Sequence, residues 1–66
     1  MTIHLNGDRF ELPAPITISE LLAQLEIDSR RVAVEHNLTV VKRHLFDETP
    51  VREGDAIEIV NFVGGG

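Results

Sequence analysis

A chain of 66 residues that contains no cysteine must hold its fold by packing and backbone hydrogen bonding alone. There is no disulfide framework and no thiolate metal site to staple a small core. This length allows one domain with a thin core, residues 1–66, so few local signals can be wrong if the chain is to fold. The turn and periodicity patterns therefore carry unusual weight.

Thr2-Ile3-His4-Leu5-Asn6 alternates apolar and polar residues, the mark of a half-buried strand. Asn6-Gly7-Asp8 is a two-residue hairpin signal, because such turns need positive φ. Arg9 to Leu12 resumes the alternation, which places Ile3, Leu5, Phe10 and Leu12 on one buried face. Pro13 and Pro15 close the hairpin, since neither can donate to a ladder. Thr17-Ile18-Ser19-Glu20 then fits a capping box. Ile18, Leu21, Leu22 and Leu25 follow at helical spacing and form one apolar stripe, with Ser19, Gln24 and Glu26 facing water.

Asp28 to Arg31 reads as a polar loop, and Val32 to His36 as a strand with Val32 and Val34 inward. Asn37 is a turn residue, and 38–41 reads as a short further strand. Residues 42–46 favour one helical turn with Leu45 or Phe46 beneath the sheet. Pro50 to Asp55 is rich in turn residues. Ala56 to Val63 is the last strand, with Ile57 and Ile59 inward and Glu58, Val60 and Phe62 on the other face. A hairpin, a helix and further strands give an α+β fold, a mixed four- to five-stranded sheet packed on one main helix. The last strand can lie beside the first only if the two run parallel through a right-handed crossover. This is the β-grasp, ubiquitin-like arrangement.

The net charge of −5 and pI of about 4.9 disfavour nucleic acid and anionic membranes. They suit solubility and a basic protein partner. The N-terminal residues lack the pattern of a signal peptide, and no apolar run is long enough to span a bilayer. A cytoplasmic location is expected. His4, His36 and His44 lie on separate elements and read as surface or edge residues, so no metal site is expected. Gly7 and Gly54 fall in turns, outside any phosphate-binding pattern.

The sequence ends on Gly64, Gly65 and Gly66 directly after a β-patterned run. Such an ending is often an inert terminus. It also offers an α-carboxylate free of side-chain shielding on a stem able to enter a channel too narrow for other residues. On this reading residues 63–66 are a flexible tail that chemistry elsewhere acts upon.

The residues resemble those of the ThiS family, the bacterial sulfur carriers of thiamine biosynthesis, over nearly the whole chain. The resemblance rests on Leu5-Asn6-Gly7, on Thr17 to Leu22, on Val32-Ala33-Val34-Glu35 with Asn37, and on Val41 and Arg43. It rests above all on Gly54-Asp55-Ala56-Ile57-Glu58-Ile59-Val60 leading to Phe62-Val63-Gly64-Gly65-Gly66. It implies a non-enzymatic carrier whose Gly66 carboxylate is adenylated by an E1-like adenylyltransferase (ThiF-type) using Mg-ATP. A persulfide from a cysteine desulfurase then yields a thiocarboxylate, which donates sulfur to thiazole synthase (ThiG-type). No cofactor is bound by the carrier. Gly64 and Gly65 form the stem that threads the partner's active site.

Ordering about four tail residues costs roughly 4–8 kcal/mol, which a docked surface must offset. Val60, Phe62 and Val63, with Glu58, are the expected partner-binding surface. The competing placement folds Phe62 and Val63 onto the chain's own core. Asp55 and Glu35 are expected to add charge at the rim. Related carriers serve molybdopterin synthesis or tRNA thiolation, and a ubiquitin-like modifier would instead form an isopeptide bond. Lys42 is the only lysine.

Overall fold

A computed structural model describes residues 1–62; Val63, Gly64, Gly65 and Gly66 lie outside the described residues. β1 (Thr2–Leu5) and β2 (Asp8–Glu11) form the expected hairpin, with Ile3 opposite Phe10 and Leu5 opposite Asp8. Asn6 and Gly7 both take positive φ, 50° and 87°, as a tight two-residue turn requires.

β3 (Ile16–Thr17) leads into α1 (Ile18–Gln24). Both halves of the capping box are present. The Glu20 amide donates to Thr17 Oγ1 at 3.2 Å, and the Thr17 amide donates to Glu20 Oε1 at 2.8 Å. Ile18, Leu21 and Leu22 are buried, and Leu25 packs against them. Ser19 is not simply a water-facing residue, because its hydroxyl donates to the Asp47 carboxylate. The helix closes in a Schellman turn, with Ile27 N–H bonded to Leu22 O and Glu26 N–H to Ala23 O.

Residues 28–31 form a 3₁₀ turn, Ser29–Arg31, capped by Asp28, where a loop was expected. β4 (Val32–His36) and β5 (Thr39–Val41) are joined through Asn37 and Leu38, both at positive φ. A second 3₁₀ turn spans Arg43–Leu45. It puts Phe46 in the core at 3% exposure and leaves Leu45 outside at 38%. β6 (Pro50–Val51) pairs with β3 in a small two-stranded sheet that periodicity does not signal. Its strands are two residues long, too short for alternation to register.

β7 (Ala56–Asn61) runs through the middle of the main sheet, whose order is β2-β1-β7-β4-β5. It is parallel to β1 and antiparallel to β4. The five strands and single α-helix match the expected mixed sheet. Ile3, Leu12, Val32, Val34, Val51 and Ile57 fill the space between sheet and helix with Phe46 and the helix stripe. Full burial contributes roughly 1.5–3 kcal/mol for each large apolar side chain.

Candidate functional site

β7 sets the site because it carries the chain to its C-terminal residues. Its root is fixed by a ladder bond from the Phe62 amide to the Arg31 carbonyl at 3.0 Å. Arg31 is itself placed by the Asp28 cap. Asp28 Oδ1 accepts from the Arg30 amide at 2.9 Å, and Oδ2 from Arg30 Nη2 at 3.0 Å. The Arg30 side chain and amide hold the Asp28 carboxyl down at about 2, with the charge of Arg31 adding to them. The last described residue is thus tied to a braced turn.

Alternation along β7 places Ile57 and Ile59 toward the helix. Glu58, Val60 and Phe62 are exposed. Val60 is 55% and Phe62 57% accessible. Ala33 lies opposite Val60, and Glu35 lies opposite both Glu58 and Val40. The Phe62 amide donates to the Arg31 carbonyl, and the Asn37 amide donates to the Ala56 carbonyl. The intervening Glu35–Glu58 pair has the same phase in the antiparallel ladder, with Cα atoms about 5.5 Å apart. Two like charges therefore face each other across the centre of the helix-free face, an arrangement that weakens a sheet.

Beside Phe62 lies an open depression of about 270 Å³. Ala33, Val40, Val41, Phe46 and Phe62 supply most of its wall, and Arg43 borders it. The groove has no signal in the linear sequence. Its residues come from four separate stretches that only the strand pairing brings together.

Asp55 does not stand at the rim as a free charge. Its side chain is only 15% exposed. Oδ2 meets His36 Nε2 at 2.7 Å and accepts from the Arg52 amide at 2.9 Å, while Oδ1 accepts from Asn37 Nδ2 at 3.2 Å. Both oxygens are used within the fold, at the end of β7 away from Phe62. Glu35 is half-buried and Glu58 exposed on the open face. His36 is likewise a structural residue, only 24% exposed. Among the described residues no group of three or more histidine, cysteine, aspartate or glutamate side chains could hold a metal ion. No helix among them is long and apolar enough to cross a membrane. The expected roles of Val63, Gly64, Gly65 and Gly66 fall outside the described residues.

The ThiS family model matches residues 3–66. The chain belongs to the ThiS family. A crystal structure of the ThiS thiamine biosynthesis protein from Geobacter metallireducens superimposes with a TM-score of 0.88 at 36% identity, covering all of both chains. The sulfur carrier protein ThiS of Bacillus subtilis is 40% identical over 50 residues, 76% of each chain. A thiazole synthase of Paramagnetospirillum magneticum is 42% identical over the whole chain, which spans only 20% of that relative's length. The fold is therefore the β-grasp of the ThiS proteins.

Proposed function

We propose that this chain is a sulfur carrier for thiamine biosynthesis and that its working group is the Gly66 carboxylate. The observation that carries the reading is the family match, which runs through the terminal glycines as well as the folded body. The braced exit of β7 at Phe62 supports it, because a carrier must present its end group from a defined position.

A carboxylate is a poor acyl donor, since its leaving group would be oxide. Attack of the Gly66 carboxylate on the α-phosphate of Mg-ATP, in an adenylyltransferase of the ThiF type, forms an acyl adenylate and releases pyrophosphate. The terminal sulfur of a persulfide then attacks the acyl carbon and expels AMP. A thiol next attacks the inner sulfur, forming a disulfide and leaving the outer sulfur on Gly66 as a thiocarboxylate. That sulfur is handed to a thiazole synthase, the activity named for the longer relative. The carrier acts as a cosubstrate, consumed and regenerated, with Gly64 and Gly65 as the stem that enters the enzyme. The apolar residues Val60, Phe62 and Val63 seat it, with Glu58 beside them, and offset the ordering of the stem.

Intact-mass measurement after incubation with the adenylyltransferase, Mg-ATP and a persulfide donor tests this. Replacement of one oxygen by sulfur is the expected result. Deleting Gly66 should abolish it without unfolding the chain, and Gly65→Phe should block it by steric exclusion. Full loading of either variant would overturn the assignment of the end group or of the narrow stem. A product joined covalently to another protein would identify a modifier instead.

A further inference from the structure

We infer that the groove beside Phe62 receives an apolar side chain flanked by carboxylates, presented by the adenylyltransferase that takes the tail. This rests on the carrier reading and specifies the partner chemistry at the root of the stem.

The chain has six cationic side chains against eleven carboxylates. Arg9 and Arg52 lie elsewhere, and the other four fall in the two short turns that flank Phe62. Arg30 and Arg31 occupy the turn whose carbonyl accepts from the Phe62 amide. Lys42 and Arg43 open the turn that follows β5. Each turn contributes a residue to the groove wall, Ser29 from the first and Arg43 from the second. Asp28 engages Arg30 at 3.0 Å and lies 3.8 Å from Arg31. Lys42 and Arg43 enter no ion pair among the described residues, and both are exposed. Among the described residues, an acidic molecule thus sets two cations without ion-pair partners beside an apolar groove that Phe62, the last of those residues, helps to line.

Net charge and local charge make opposite demands here. Seen from far away, a charge of −5 favours a basic partner. Screening limits that field to about 8–10 Å at physiological salt, so in the docked complex the nearest charges decide. Lys42 and Arg43 demand carboxylates across the contact. The carbon wall made by Val41, Phe46 and Phe62 demands an apolar anchor beside them. Those two demands define the occupant.

The two effects separate in a charge-reversal experiment. Lys42→Glu with Arg43→Glu makes the carrier more acidic. If net charge governs docking to a basic enzyme, association strengthens. If the cationic rim governs, affinity for the adenylyltransferase falls about tenfold or more at low salt and the loss shrinks at high salt. Arg52→Glu, at the opposite end of β7, supplies a single charge reversal as control and should leave affinity within about twofold. Melting temperature is followed in parallel, and an unchanged value shows that the turn still folds. Lys42→Arg with Arg43→Lys should bind as the wild type does. Unchanged or tighter binding by the double reversal overturns the inference, as does equal weakening by Arg52→Glu. Failure of the wild-type chain to be loaded with sulfur would sink the carrier reading itself. Normal wild-type loading with binding indifferent to Lys42 and Arg43 sinks only the groove inference.

Discussion

His36 Nε2 lies 2.7 Å from Asp55 Oδ2, and this contact clamps the end of β4 to the residue just before β7. The Asp55 carboxylate also accepts from the Arg52 amide and from Asn37 Nδ2. Burial alone would raise the Asp55 carboxyl. The bonds from His36, Arg52 and Asn37 together outweigh burial and hold it below the ordinary 3.8. A depressed carboxyl stabilises the fold above its unfolded value and loses that contribution as pH falls through its folded value. Asp55→Asn should therefore melt below the wild type near neutral pH by about 1–3 kcal/mol. The gap should narrow as the pH drops below 3.8. Thermal melts across that range check it, and a gap that stays constant would contradict the assignment.

Glu26 sits at φ 59° in the residue that ends the α1 Schellman turn. The left-handed region costs an L-residue roughly 1–2 kcal/mol, of which glycine recovers part after its larger unfolded-state entropy is counted. Glu26→Gly should stabilise the domain by about 0.5–1 kcal/mol, a rise of about 2–8 °C in melting temperature. Calorimetry decides it, and a lower melting temperature would refute the strain argument.

Phe46 and Leu45 are neighbours with opposite surroundings. Phe46 is buried in the core, while Leu45 lies at the surface. Phe46→Ala should cost about 3–5 kcal/mol, which a domain this small can barely survive. Leu45→Ala should cost less than about 1 kcal/mol. Urea denaturation of the two variants would show similar midpoints only if the placement were wrong.

Phe62 is more than half exposed, and its position is held by a backbone bond that does not need the ring. Phe62→Ala should leave the melting temperature within a few degrees, because little buried area is lost. Affinity for the adenylyltransferase should fall by about 1.5–3 kcal/mol if the ring is buried on docking. Titration calorimetry alongside a melt separates the outcomes. A large drop in stability with unchanged affinity would make Phe62 a residue of the core.

Much of this architecture is written in short-range pattern. The Asn6-Gly7 turn, the Thr17–Glu20 capping box and the stripe of Ile18, Leu21 and Leu22 each depend on residues at most four apart. Their geometry follows from backbone sterics and local hydrogen bonding, so a linear reading suffices. The alternation of Ile57, Glu58, Ile59 and Val60 is legible for the same reason. Other features depend on which segments meet. β3 and β6 pair residues more than thirty positions apart through strands of two residues. Whether Leu45 or Phe46 enters the core turns on one 3₁₀ turn and on the space left under the sheet. Asp55 reads as a rim charge until His36 and Asn37 are brought beside it.

The hairpin, the helix and its buried face, the polarity of the last strand and the glycine ending are all encoded between near neighbours, so the linear order of residues is enough to specify them. That Arg43, Phe46 and Phe62 share one groove, and that Glu35 faces Glu58, follows from the folded arrangement alone. Those contacts arise from the β4–β7 register and the exit of β5, where pairing between distant strands, rather than local preference, sets what each side chain meets.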